Sequence, residues 1–301
     1  MSEPNYVSLE DFASTFGDGN DAIPAWVHPH ARTPAVLERI GLRYRLEDVL
    51  DTIVALQRAD RLQAGIYASP SAMSHVYRSV LTASRTLHVA VPPAILAGTG
   101  LRMQGCFGTD GRAFLYLSTY FYDPADEGER DFMSGRFCGY IAARLVTANT
   151  MYALIADNGG IRTLVPRGLR PVLDVVLSPL SLGVKIALSR WQRACEVSVD
   201  RAGLVVCRDI DMAARALMRQ TLGRKPQIDR ETYLDQHRNS DTSPGRWAEL
   251  LSGAPWAYKR IRAMELFVQS QIYADLTGEP VEDPIPTDEL NERTTQILGV
   301  S

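Results

Sequence analysis

Residues 191–203 read Trp-Gln-Arg-Ala-Cys-Glu-Val-Ser-Val-Asp-Arg-Ala-Gly. Within them Glu196 and Asp200 are four apart, so a helix places both carboxylates on one face, preceded by Trp191 and Arg193. The flanking pattern predicts a long helix over 184–206. Two acids on a face that also carries Trp191 and apolar neighbours need a cation opposite them, because an unpaired buried charge costs several kcal/mol, on the order of 3–5.

The cation is sought one long helix earlier. After Asp123-Pro124, the acids Asp126, Glu127 and Glu129 favour a helix start, and apolar spacing extends the helix over 131–155 to a stop near Asn158-Gly159-Gly160. Met133, Phe137, Tyr140, Ile141, Arg144, Ala148, Met151 and Ile155 share one stripe of that helix, which points Arg144 at the core and pairs it with Glu196. Two roles are open for that pair: a structural plug, or a pair that also meets a ligand.

Between these helices and the N-terminus the period changes. Ser69-Pro70-Ser71 starts a helical pattern through Met73, Val76, Tyr77, Val80, Leu81 and Leu87. A short apolar run at 93–97, an extended segment at 101–107, a Thr109-Asp110-Gly111 turn and a strand at 113–117 predict a small sheet with a hairpin. Helical spacing also marks 36–56, 210–222 and 256–276, a polar stretch at 236–246 reads as a loop, and 172–188 reads as a buried helical hairpin. The expected organisation is an irregular arm over 1–34, one domain over 35–280 and a tail over 281–301. His28-Pro29-His30 in the arm is assigned no role.

The composition, 46% hydrophobic and 22% charged over 301 residues, is that of a folded domain, and a net charge of −3 gives no general pull toward nucleic acid. No span suits a bilayer, because 172–188 is short and contains Asp174, Pro179 and Lys185. The four cysteines show no C-x-x-C spacing and the N-terminus has no apolar signal region, which together predict a cytoplasmic protein. None of the five histidines is spaced i, i+4 for a helix-borne zinc site.

The order of elements and the 191–203 stretch resemble the HtpX-type zinc metallopeptidases, gluzincins that include the CAAX prenyl endopeptidases. Their second helix carries W-x-R-A-x-E-x-x-x-D-R-A-G, and all eight prescribed positions are met here. The resemblance covers roughly 60–276, with looser matches at Pro92-Pro93, at 114–121, and at Ala254-Pro255 with Arg260 and Arg262. It implies an α+β, mainly helical, zincin-like fold with a small sheet packed on two long helices. It also implies that Glu196 stands at the third zinc ligand and Asp200 supports it.

Where the family has G-H-E-L-G-H, this chain has Gly139-Tyr140-Ile141-Ala142-Ala143-Arg144, and the family's later histidine falls on Asn149. Guanidinium has no lone pair for zinc and isoleucine cannot act as a base, so neither metal nor cofactor is expected. Arg144 would stand where the divalent cation sat. The expectation is a non-catalytic pseudopeptidase. It would serve as a binding or accessory subunit of a partner protein, in a hetero-oligomer of a specialised biosynthetic pathway, with its former site at Tyr140, Ile141, Arg144, Asn149, Glu196 and Asp200. The alternative is a repurposed enzyme that uses Arg144 and Tyr140 on a small anionic or amino-acid-like substrate. In the family, the hairpin edge receives an extended substrate. Here it could still take a peptide or partner strand, or lie under the N-terminal arm.

Overall fold

The computed structural model describes residues 23–32, 65–98, 104–156, 182–237 and 254–299. The expected helix over 36–56 lies outside these residues, as do most of the 172–188 segment and of the polar stretch at 236–246.

The chain is α+β and mainly helical, and its described residues include a four-stranded mixed sheet. Strand β1 (Ile66–Tyr67) is followed by helix α1 (Ser74–Thr86), then β2 (Ala94–Ala97), β3 (Gly105–Thr109) and β4 (Arg112–Ser118). The spatial order is β1-β2-β4-β3. β2 runs parallel to β4 with Ile95 opposite Tyr116, and β3 pairs antiparallel to β4 with Phe107 opposite Phe114. All four residues of β2 are buried, matching their unbroken apolar run. The Asp110-Gly111 turn joins β3 and β4 as its residue types predict.

A short helix α2 (Thr119–Tyr122) leads into α3 (Glu127–Ala142). Glu129 is buried at the start of α3. It accepts from the Asp126 N–H at 2.8 Å and pairs with Arg219 at 2.8 Å, so the acids read as dipole partners also tie α3 to a later helix. The predicted helix over 131–155 is in fact two, α3 and then α4 (Val146–Ala156). Arg144 sits between them at φ 54°. The Leu145 N–H donates to the Tyr140 carbonyl at 2.9 Å and the Arg144 N–H to the Ile141 carbonyl at 3.0 Å, the paired bonds that close a helix around a left-handed residue. Leu145 is buried beyond the stop, which favours the turn although no glycine is present.

Helix α5 (Leu182–Cys207) contains the 191–203 stretch, and α6 (Ile210–Leu222) follows with the predicted bounds. Then come α7 (Arg230–Gln236), α8 (Ala257–Val268), α9 (Gln271–Thr277) and α10 (Thr287–Leu298). The single helix expected over 256–276 is thus divided, with Ser270 capping the second piece through the Tyr273 N–H. The stretch 281–301, read as a tail, contains α10, whose Leu290 and Leu298 are buried. In the described part of the arm, residues 23–32, a 3-10 turn (Pro29–Ala31) packs on α5, with Trp26, His28 and Ala31 buried.

The helices α3 and α5 pack antiparallel and very close, because glycines lie at their crossing. A Cβ built on Gly135 would meet the Gly203 Cα at 2.8 Å, and one on Gly139 would meet the Ala202 Cβ at 2.8 Å. Side chains one turn along from this crossing are thereby pressed together, and the two acids of α5 lie there.

Candidate functional site

The carboxylates of Glu196 and Asp200 meet two guanidiniums, one from α3 and one from α8. Arg136 places Nη2 at 2.5 Å from Glu196 Oε2 and Nε at 2.6 Å from Asp200 Oδ1. Arg260 grips Asp200 in bidentate fashion, Nε to Oδ2 at 2.7 Å and Nη2 to Oδ1 at 2.6 Å, and lies 3.4 Å from Glu196 Oε2. Two positive and two negative groups balance, all buried except Glu196, whose side chain is 15% exposed. Burial alone would lower the Arg260 pKa. Asp200, with Glu196 behind it, outweighs that and keeps the guanidinium charged.

The remaining oxygen of Glu196 is also engaged. Tyr140 donates its hydroxyl to Oε1 at 2.8 Å, and Gln192 donates to the same oxygen at 3.3 Å. Gln192 also donates to the Tyr140 oxygen at 3.2 Å and to Asn149 Oδ1 at 3.0 Å. Burial, reinforced by the Glu196 charge, raises the Tyr140 phenol well above its ordinary 10, so it stays a donor.

Of the residues expected at this site, Tyr140, Asn149, Glu196 and Asp200 are joined in one network of hydrogen bonds and ion pairs. Ile141 is partly buried against the apolar core. Arg144 is the correction: it is exposed beyond the end of α3, and the cations at Glu196 are Arg136 and Arg260. The helix stop removes Arg144 from the stripe that was to carry it inward. Arg136 was equally eligible by period, four residues before Tyr140 on the same face of α3. Arg260 stood in the sequence only as a loose family match, and Gln192 had no signal beyond lying four residues before Glu196.

The zinc implied by the family resemblance does not fit these residues. Both oxygens of Glu196 face donors that are held protonated, and the position opposite them is filled by guanidinium nitrogens. Among the described residues no group of three or more His, Cys, Asp or Glu is placed to hold a metal ion. The nearby thiols are unsuited to nucleophilic work. Cys106, Cys138 and Cys195 are free and buried, and burial raises each above the ordinary thiol value, Cys138 to about 12.

Among the described residues, the hairpin edge is bonded by α4. On the outward side of β3, Asn149 donates to the Cys106 carbonyl at 3.2 Å, and the Gly108 N–H donates to Thr150 Oγ1 at 3.1 Å. The turn fixes α4 in return. Asp110 Oδ1 accepts from the Val146 N–H at 2.9 Å, and its N–H donates to Thr147 Oγ1 at 2.9 Å. Asp110 is therefore an N-cap supplied from a different element, and Asp110→Ala is expected to cost about 1–2 kcal/mol in a urea titration, with faster amide exchange in both the hairpin and α4.

Compared with known proteins, the chain matches no family model, no curated protein and no solved structure. No described helix is long and apolar enough to cross a membrane.

Proposed function

We propose that the chain is a non-catalytic, zincin-like pseudopeptidase: a cytoplasmic binding or accessory subunit of a partner protein, with an ion cluster in place of a metal. One observation supports this reading above the others, the saturation of Glu196 by Arg136, Arg260, Tyr140 and Gln192. A carboxylate held this way can neither ligate zinc nor take a proton from water without breaking a buried ion pair. The rival reading, a small-molecule enzyme using Arg144 and Tyr140, gains no support from their geometry, since the phenol is committed to Glu196 and the guanidinium is exposed.

The test is elemental analysis of protein dialysed against zinc, run beside hydrolysis of an unfolded protein substrate with and without chelator. Less than stoichiometric zinc and no chelator-sensitive cleavage are expected. In native mass measurements from its own cells the chain is expected in a hetero-oligomer whose partner raises its melting temperature. Tight zinc or chelator-sensitive cleavage would end the proposal.

A further inference from the structure

The imidazole of His28 is fully buried although it lies in the arm, and three segments converge on it. Its backbone N–H donates to Ser198 Oγ of α5 at 2.9 Å. Nδ1 accepts from the His30 N–H at 3.3 Å, so the ring proton of the neutral form belongs on Nε2. Nε2 faces the Asn291 carbonyl and Thr295 Oγ1 of α10, each at 3.2 Å. Thr295 gives its own proton to the Asn291 carbonyl at 2.7 Å, which leaves an oxygen lone pair for the ring. One tautomer thus satisfies every neighbour.

Beside the ring, Arg201 of α5 is a buried cation held by neutral groups. It donates to the Trp26 carbonyl at 3.4 Å, Asn291 Oδ1 at 3.1 Å and Thr294 Oγ1 at 3.0 Å, and it lies 5.4 Å from the Phe267 ring centre. Burial pulls the guanidinium down to about 9, and among the described residues no carboxylate opposes the shift.

We propose that His28 is an acid-sensitive latch: neutral, it clips the 23–32 segment and α10 to α5, and its protonation releases them.

A proton added at Nδ1 would face the His30 N–H and find no acceptor, and the new charge would stand beside Arg201. Among the described residues, the charged or titratable groups facing the ring are Arg201 from α5 and His30 from the turn, stacked at 5.4 Å. The groups on α10 that touch it, Asn291 and Thr295, are neutral. Burial first, and Arg201 second, lower the imidazole from 6.5 to about 4. With a depressed value the released state takes the proton first. The clip is therefore at full strength above about 6.5, weakens as the pH falls toward about 4, and loses nothing more below it. Release would free the flank of α5 where Trp191 Nε1 donates to the Ala31 carbonyl at 3.1 Å.

The experiment titrates the His28 ring by NMR in the full chain and follows exchange of the Trp191 indole N–H, corrected for intrinsic chemistry, between pH 7.5 and 5. Indole exchange is expected to accelerate about thirtyfold in the wild type and to stay level in His28→Gln, with the ring titrating below 5. A ring that titrates at 6 or above, or equal acid acceleration in His28→Gln, would overturn the latch. Should His28→Gln not fold, the wild-type ring titration decides alone.

Discussion

Asp200→Ala is expected to destabilise the protein by about 3–5 kcal/mol, one of the two largest effects of any single change proposed for it. The carboxylate is completely buried, ion-paired with Arg136 and bonded twice by Arg260, so its loss leaves two guanidiniums in a dry site with only Glu196 to share. Arg136→Ala is expected to cost a similar amount by the reverse imbalance. The two effects should not add. Arg136→Met with Asp200→Leu removes one charge of each sign and fills the space, leaving Arg260 with Glu196, and should cost markedly less than the sum of the singles. Urea titrations of the four proteins measure this coupling. Simple additivity would mean that the cluster does not act as a unit. Arg144→Gly is the control: the position is exposed and left-handed, which glycine adopts freely, so a change within about 1 kcal/mol is expected.

Gly203→Val is the second large effect, at about 3 kcal/mol or more. A Cβ at Gly203 would lie 2.6 Å from the Phe132 carbonyl oxygen and 2.8 Å from the Arg136 Cγ. The first contact is with backbone, so α3 and α5 must separate; the second is with the stem of the cation that holds Glu196. The variant should therefore loosen the ion cluster as well as the packing. In a cycle with Arg136→Ala it should be less than additive, because the second change removes part of what the first one strikes. Gly111→Ala meets nothing within 4 Å and should stay within about 0.5 kcal/mol. Equal effects at Gly203 and Gly111 in thermal unfolding would refute the tight crossing.

Much of the fold was legible because local signals were strong. The unbroken apolar run of β2, the Asp110-Gly111 turn and the acids leading α3 each dictate a conformation within a few residues. The pairing of Glu196 was not legible, because it depends on where α3 stops. Ala142-Ala143-Arg144-Leu145 contains no glycine, proline or asparagine, and it ends the helix only because Leu145 finds a buried site and Asp110 arrives to cap α4. Both causes are tertiary. A one-helix reading carried Arg144 inward and left Arg136, on the same stripe, overlooked. Arg260 comes from α8, some sixty residues beyond Glu196, where no periodicity connects the two. His28 was passed over for a related reason: a histidine between prolines in an irregular arm gives no hint that α10 will fold back over it.

The contacts of Asn149 and Thr150 with β3 also bear on how copies of this chain behave when crowded together. An open outer strand invites a neighbour's strand to extend the sheet, the first step toward polymer. On this side, the Cys106 carbonyl and the Gly108 N–H already have side-chain partners from α4, so a strand from outside would have to displace them. Resistance to self-association at this edge thus rests on two short polar side chains, and Thr150→Val would be enough to return one unpaired N–H to it.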